Sequence, residues 1–144
     1  MISTVSSTLE NAQAEIQIRD LIAAHTQAIC EKNLAQIMSH YATNVVIFDV
    51  KPPLVLNGID ACRQMWQTCL PYMPEMTSME QTEMTINVSG DLALAHWLSQ
   101  FQGIDPKHPA AQTRMRMTAA CQRSATGWQI VHEHISVPID DSCA

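Results

Sequence analysis

The chain has 144 residues, of which 47% are hydrophobic and 15% are charged, and its formal net charge is −6. This length and composition predict one folded domain with a buried core. Only eight lysines and arginines are present and they form no basic run, which argues against nucleic acid or an anionic membrane as a partner. No apolar run approaches the length of a membrane span, and the N-terminus lacks the basic start and apolar centre of a secretory signal.

The cysteines argue for a reducing compartment. There are five, an odd number, and no two are arranged as C-x-x-C. A disulfide framework or a zinc knuckle is therefore not expected, and reduced thiols fit the cytoplasm. We predict a cytoplasmic protein that holds no metal and uses no cofactor.

The first part of the chain is predicted to be helical after a disordered lead, residues 1–9. Apolar residues recur at helical spacing from about residue 10 to residue 31, and His25 falls on or beside their stripe. Asn33 is a typical N-cap for a second helix over residues 34–41.

A short hairpin and a third helix are predicted next. Residues 44–50 are rich in β-branched side chains and predict a strand, and residues 54–56 predict its short partner after a proline pair. A helix follows over about residues 59–72, where two prolines bracket its end.

The second half of the chain is predicted to form four long strands, over residues 76–89, 92–104, 112–124 and 128–137. Their short connections predict an antiparallel meander, and helices followed by such a sheet predict an α+β fold. Strands of this length twist and curl, so a sheet wrapped around a long helix would enclose a cone-shaped cavity.

The last strand has two different faces. Its alternation with period 2 places two histidines on one face beside apolar residues: Trp128, Ile130, His132, His134 and Ser136. The same alternation places Val131, Glu133 and Ile135 on the other face. We interpret the histidine face as one polar wall of an apolar pocket.

The histidines are candidates for catalysis or metal binding. His132 and His134 would have neighbouring rings, about 7 Å apart along the strand, and His96 could add a third imidazole for zinc or iron. No H-E-x-x-H helix or cysteine cluster supports a metal site. We therefore predict no metal, and interpret His96 and His134 as catalytic residues and His132 as a ligand-binding residue.

Asp49 and the segment around Arg116 are further candidates. Asp49 closes a hydrophobic strand at the predicted cavity mouth, where it could act as a general acid or base; alternatively it faces solvent in a turn. Arg116 and Thr118 share one strand face, and an arginine between methionines needs a partner. That partner is a ligand carboxylate or enolate-like oxygen, or a sheet neighbour such as Glu83 or Glu133.

Two aromatic residues complete the predicted pocket. Tyr41 and Trp66 are expected to face the cavity from helices and to contact the ligand. For Trp66, a packing role in the core is the competing interpretation.

Motifs spread over the chain resemble the nuclear-transport-factor-2-like (NTF2-like) superfamily, and more narrowly its SnoaL-like and ketosteroid-isomerase-like branch. The motifs are YATNVVIFD at 41–49, GIDA at 58–61 with Trp66 downstream, GDLA at 90–93, RMT at 116–118 and GWQIVHEHIS at 127–136. The resemblance covers about residues 12–139. It implies an NTF2-like cone in which three N-terminal helices pack on a strongly curved antiparallel sheet, a single domain over residues 10–140, and a tail over residues 141–144.

The resemblance implies the fold and does not extend to ketosteroid isomerase activity. That activity needs an aspartate base and an oxyanion hole made of a tyrosine and a protonated aspartic acid. The strand expected to supply the buried acid reads RMRMTAAC over residues 114–121 and contains no acid. The Trp…His-x-His-x-Ser ending is also similar to the association domain of calcium/calmodulin-dependent kinase II, which is an assembly module.

These observations lead to one main functional hypothesis with two alternatives. The main hypothesis is a small-molecule-binding protein that acts as a cofactor-free acid–base isomerase, lyase or hydrolase on an apolar ligand. The alternatives are a non-catalytic ligand binder and a homo-oligomeric assembly module. We also expect a homodimer, because the outer sheet face, predicted to carry Met115, Met117, Val131 and Ile135, needs covering.

Overall fold

The computed structural model describes the backbone of residues 2–139 and the side chains of residues 8–139. The helices are α1 (Ile2–Cys30), α2 (Leu34–Ser39) and α3 (Gly58–Cys69). The strands are β1 (Tyr41–Phe48), β2 (Leu56–Asn57), β3 (Ser78–Ser89), β4 (Leu92–Gln102), β5 (Met115–Ser124) and β6 (Gly127–Ser136). The predicted α+β layout, with helices before a large sheet, is confirmed. The predicted tail, residues 141–144, lies outside the described residues.

The first helix is longer than the sequence pattern predicted. It begins at Ile2, so it covers most of the segment 1–9 that we expected to be disordered. The physical reason is that the chain contains no glycine or proline in this region, and nothing interrupts the helix before Lys32, whose φ is 55°. Asn33 then caps α2 as predicted, because its side chain accepts a hydrogen bond from the backbone N–H of Gln36 at 3.2 Å.

The second helix is shorter than predicted. It ends at Ser39, and Tyr41, which we had placed on this helix, is the first residue of β1. Pairing with the sheet overrides the local pattern here: the backbone N–H of Ile130 donates to the carbonyl of His40 at 2.8 Å, and Tyr41 pairs with Ile130.

The six strands form one curved sheet in the order β2-β1-β6-β5-β4-β3. The predicted meander β3–β6 is antiparallel throughout, but β1 and β6 are parallel, so the prediction of a wholly antiparallel sheet is wrong for this pair. The parallel pair arises because most of the chain separates these two strands, and a long connection permits it. Helix α1 packs against β3 and β6. Among the described residues, no helix is both long and apolar enough to cross a membrane.

A β-bulge interrupts the pairing of β5 with β6. Ala120 pairs with His132, whereas the next residue, Cys121, pairs with Ile130. Val131 is therefore an extra residue on β6. Such a bulge shifts the alternation of every side chain that follows it.

The bulge reverses the predicted faces of the last strand. Trp128 and Ile130 are buried as predicted, but beyond the bulge Glu133 is the buried residue and His134 is exposed. The prediction that Glu133 faces away from Trp128 and Ile130 is wrong, because a regular period of 2 does not pass through a bulge.

The predicted outer face is also corrected. Met117 packs against the core, and Ile135 lies directly opposite it, on the same side of the sheet. Met115 shares this side by alternation. The outer face instead exposes Leu94, at 45% of its surface, together with Leu92.

Candidate functional site

The Tyr41 hydroxyl is the centre of a buried polar cluster. It donates a hydrogen bond to Oε1 of Glu133 at 2.9 Å and accepts one from Nε1–H of Trp66 at 3.2 Å. Nε2 of His25 lies 3.0 Å from the same hydroxyl oxygen. The four residues are between 3% and 9% exposed. We call them the Tyr41 cluster.

Four different elements bring the Tyr41 cluster together. His25 lies on the inward stripe of α1, and Trp66 lies with Cys62 on the inward side of α3. Tyr41 opens β1, and Glu133 is turned inward by the bulge in β6. The cluster therefore depends on the assembled fold and not on one local motif.

Glu133 is ready to exchange a proton near neutral pH. Burial raises its pKa to about 7, the hydrogen bond from Tyr41 opposes this rise, and the negative charge of Asp49 adds to it. A carboxyl group with a pKa close to the working pH suits a general acid or base. Perturbed acids of this kind are typical of functional sites.

His25 is neutral and its contact with Glu133 is not an ion pair at neutral pH. Nε2 of His25 lies 3.9 Å from Oε2 of Glu133. Burial and the nearby His40 lower the pKa of His25 to about 3, although the carbonyl of Ile37 opposes this effect. The imidazole therefore acts as a neutral hydrogen-bonding group, a donor or an acceptor according to its tautomer.

His40 lies next to His25 at the edge of the cluster. The two ring centroids are 5.4 Å apart with an interplanar angle of 81°. His40 is half-buried, and burial lowers its pKa. Nδ1 of each imidazole is buried and has no hydrogen-bond partner among the described residues.

Asp49 and the thiols of Cys62 and Cys121 lie near the Glu133 carboxylate. Asp49 is half-buried just beyond β1, close enough to raise the pKa of both Glu133 and Cys69. This places its charge on the inner side of the sheet, and its predicted acid–base role stays a prediction. Burial raises the pKa of Cys62 and of Cys121 to about 12, so neither is a thiolate nucleophile at neutral pH.

The side chains beside Glu133 on the inner face of the sheet are small and apolar. Glu133 pairs with Ala119, which pairs with Ala95, and both alanines are fully buried. Further out, Ser99 has a buried hydroxyl without a partner among the described residues. Partly buried methionines pack against this core: Met65, Met73, Met79, Met84 and Met117. Flexible methionines adapt to apolar ligands of different shapes.

The histidines that we predicted to be catalytic lie on the outer face of the sheet. His96 pairs with Thr118, which pairs with His134, so the three form one row across β4, β5 and β6. His132 lies on the same side, with Nδ1 2.7 Å from the carbonyl oxygen of Val46. This row faces away from the Tyr41 cluster, so the predicted pocket wall and the Tyr41 cluster lie on opposite faces of the sheet.

Arg116 belongs to the same outer face. Its Nε donates to the Ser136 hydroxyl at 3.0 Å, and no ion pair of Arg116 occurs among the described residues. With His96, Thr118 and Glu83 it lines a shallow depression of about 540 Å³. The described part of the chain contains no group of three or more His, Cys, Asp or Glu placed to hold a metal ion. The predicted functions of these outer-face residues stay predictions.

Two of the predicted ligand-binding residues, Tyr41 and Trp66, are in contact. Two other residues of the cluster, Glu133 and His25, were not predicted as site residues. Glu133 was missed because a one-residue bulge leaves no clear mark in the sequence. His25 did leave a signal, because a histidine on the apolar stripe of a helix requires a buried partner.

The chain is similar to proteins of one fold family. The sequence profile of the SnoaL-like domain matches residues 18–140. An NTF2-like protein of unknown function from Pseudomonas putida KT2440 is 33% identical over 92% of both chains, with a TM-score of 0.81. A candidate dehydratase of the NTF2-like family from Streptomyces avermitilis is 16% identical over 90% of this chain and 99% of its own, with a TM-score of 0.73.

A third structure extends the comparison to isomerases. A candidate ketosteroid isomerase from Shewanella frigidimarina is 20% identical over 81% of this chain and 92% of its own, with a TM-score of 0.66. At this identity the dehydratase and the isomerase share the fold alone. No curated protein sequence matches the chain. The resemblance predicted from the sequence motifs is confirmed: the chain belongs to the SnoaL-like domain family and has an NTF2-like fold.

Proposed function

We propose that this chain, which belongs to the SnoaL-like domain family, binds a small, largely apolar molecule on the inner side of its sheet and exchanges a proton with it through Glu133. The observation that carries the proposal is the buried carboxyl group of Glu133, held by Tyr41 at 2.9 Å, with a pKa raised to about 7. Half of such groups are protonated at neutral pH, so Glu133 can serve as acid or base.

Tyr41 supports this chemistry as a hydrogen-bond donor. Nε1–H of Trp66 fixes the hydroxyl oxygen, and the hydroxyl hydrogen points to the carboxylate. A donor held in this way stabilises negative charge on Glu133 or on a ligand oxygen beside it. Donors fixed before the reaction are effective because they need no reorganisation during it.

The surroundings favour an apolar ligand of limited size. The inner face next to Glu133 includes the buried Ala95 and Ala119, and partly buried methionines pack against the same core. Apolar walls with a few converging polar groups are typical of small-molecule sites. Asp49 keeps its predicted role as a second acid–base group, because its charge acts on Glu133.

The experiment is proton exchange in D2O with a panel of apolar cyclic ketones that can enolise. NMR follows the replacement of C–H by C–D next to the carbonyl, and a thermal-shift assay follows binding. We expect the wild type to bind at least one ketone and to exchange its proton, and Glu133→Gln to bind it while losing exchange at least a hundredfold.

Glu83→Gln is the matched control. It makes the same change of side chain on the outer face, in the depression lined by His96 and Arg116. We expect it to exchange like the wild type. Equal loss in Glu83→Gln, or full exchange in Glu133→Gln, would contradict the proposal. Binding without exchange in the wild type would favour the non-catalytic ligand binder.

We also propose that two copies of the chain associate through the outer face of the sheet. Leu92 and Leu94 are exposed there, and Leu94 pairs with Ala120 in a neighbouring apolar position. An exposed apolar sheet face favours a symmetric dimer.

A further inference from the structure

We propose that His40 and His25 form a path along which protons travel between the protein surface and Glu133, with the Tyr41 hydroxyl as the last carrier. Hydrogen-bond distances join the inner part of this path, because Nε2 of His25 is 3.0 Å from the Tyr41 oxygen and that oxygen is 2.9 Å from Oε1 of Glu133. The centroids of the His40 and His25 rings are 5.4 Å apart, so the outer step needs a bridging water. The use of this path in catalysis rests on the proposed function, but the path itself belongs to the ligand-free protein.

A buried acid needs such a path. Glu133 is 3% exposed, so water does not reach it directly in the ligand-free fold. His40 is half-buried and therefore lies at the end of the chain of contacts that solvent can reach. One water molecule between the Nδ1 atoms of His40 and His25 would complete the connection, since a bridging water transmits a hydrogen bond between polar groups.

When Glu133 is ionised, the cluster has one consistent set of hydrogen bonds. The Tyr41 hydroxyl donates to Glu133, and its oxygen accepts Nε1–H of Trp66 and Nε2–H of His25. His25 then carries its proton on Nε2, and its Nδ1 is bare.

When Glu133 is protonated, a second set is equally consistent. The carboxyl O–H donates to the Tyr41 oxygen, and the Tyr41 hydroxyl donates to Nε2 of His25, which must be bare. His25 then carries its proton on Nδ1. Trp66 donates to Tyr41 in both states, and the same distances between heavy atoms suit both.

The change between the two states is a balanced transfer of one proton. A proton from the side of His40 binds Nδ1 of His25, the proton on Nε2 moves to the Tyr41 oxygen, and the Tyr41 hydroxyl proton moves to Oε1 of Glu133. Each carrier gains one proton and loses one. The reverse sequence returns the proton to solvent.

The unpartnered nitrogen atoms fit this function. Buried polar atoms nearly always have partners, yet Nδ1 of His25 and Nδ1 of His40 make no well-formed hydrogen bond among the described residues. Only weak interactions with backbone carbonyls remain, with Ile37 for His25 and with Gln36 for His40. An atom that must be bare in one state and protonated in the other cannot be committed to a single strong partner. The carbonyl of Ile37, which interacts with the His25 ring, is available to the protonated form.

Several other titratable groups lie around the path. They are Asp49 on the β1 side, Cys62 on α3, Cys121 on β5 and His40 beside His25. Burial raises the pKa of both thiols to about 12 and lowers the pKa of both histidines.

The test follows the His25 tautomer by NMR of ligand-free protein with 15N-labelled histidine between pH 5.5 and 8.5. We expect the proton to move from Nε2 to Nδ1 as the pH falls through the midpoint of Glu133, without an imidazolium signal from His25. A tautomer that stays the same while Glu133 titrates would overturn the path. Absence of any Glu133 titration in this range would overturn it as well.

Variants test the contribution of each residue to the proton path. Glu133→Gln should leave His25 in one tautomer at every pH, because the amide cannot take up the proton. His40→Gln should keep the tautomer change but slow proton exchange at Glu133 at least tenfold. His108→Gln, in the exposed loop between β4 and β5, is the control and should alter neither result. Unchanged exchange in His40→Gln would remove His40 from the path.

This outcome is independent of the ketone experiment. A tautomer change that follows Glu133 supports the path even where no ketone is exchanged by the wild type. Exchange of a ketone with a fixed His25 tautomer would support the proposed function and contradict the path.

Discussion

Glu133 and His25 have opposite effects on the stability of the fold as the pH changes. Between pH 4.5 and about 7 the folded state binds more protons at Glu133 than the unfolded state, so the free energy of unfolding falls as the pH rises. Between about pH 3 and 6.5 the unfolded state binds more protons at His25, so the free energy of unfolding rises. From pH 4.5 to 6.5 the two contributions oppose each other.

Glu133→Gln is expected to remove the contribution of Glu133 to the pH dependence of the free energy of unfolding. Relative to the wild type, its free energy of unfolding should increase by about 3 kcal/mol between pH 4.5 and 7.5, at ~1.4 kcal/mol per pKa unit. Urea unfolding at several pH values measures the difference. Glu83→Gln, with its side chain exposed, should follow the wild-type curve, and a parallel curve for Glu133→Gln would contradict the assignment.

Tyr41→Phe should destabilise the protein by about 2–4 kcal/mol. The change leaves the buried Nε1–H of Trp66, the imidazole of His25 and the Glu133 carboxyl without their shared partner, and each unsatisfied buried group costs about 1–3 kcal/mol, partly offset by relaxation. Tyr72→Phe is the matched control because Tyr72 is 87% exposed. Equal midpoints of thermal unfolding for the two variants would count against Tyr41 as the centre of the cluster.

At the scale of elements, the bulge at Val131 decides which residues of β6 reach the interior. His134→Lys should change stability by less than about 1 kcal/mol, because its side chain is exposed. Ile135→Lys should cost about 2–3 kcal/mol, because it puts a charge on the inner side opposite Met117. The reverse order of the two midpoints in urea would show that the strand alternates without a bulge.

The same bulge marks the limit of prediction from the sequence. The existence and order of β3–β6 were predicted from their long alternating segments. Short turn sequences, Gly90-Asp91 and Ala125-Thr126-Gly127, separate two pairs of these segments, and this pattern is typical of antiparallel strands. The face of Glu133 was not predictable in this way. One extra residue hardly changes the composition or the spacing of the segment. It nevertheless moves every following side chain of the strand to the opposite face of the sheet.

Tyr41 shows a second limit. It continues the helical pattern of residues 34–41, and only its pairing with Ile130, far away in the chain, makes it part of a strand. Tyr41 and Trp66 were nevertheless predicted to line the site, because both were expected to face the cavity from helices. What could not be predicted is that they share that partner with Glu133 and His25.

At the scale of the whole molecule, we expect the outer face of the sheet to form the proposed dimer interface. Leu94→Lys should convert the proposed dimer to a monomer in sedimentation velocity at micromolar concentration, because a charge would have to be buried at the interface. Leu54→Lys is the control, since Leu54 is 91% exposed in the loop before β2. A monomeric wild type, or a dimeric Leu94→Lys variant, would contradict an interface on this face.

The proposed dimer interface and the proposed ligand site lie on opposite faces of the sheet. The Tyr41 cluster lies inside the fold, whereas the row from His96 to His134 lies outside it. We therefore expect Leu94→Lys to reduce association without changing proton exchange on a bound ketone. NMR of the ketone in the presence of the monomeric variant measures this, and loss of exchange would mean that the site depends on the partner copy.

The central claim is that Glu133 is a buried acid that titrates near neutral pH. Its most direct test is NMR titration of the side-chain carboxyl carbon in ligand-free protein with 13C-labelled glutamate, in which the Glu133 signal is identified by its absence from Glu133→Gln. The structure predicts a midpoint at about pH 7, whereas an ordinary glutamate titrates near 4.5. A midpoint at or below 4.5 would contradict the account.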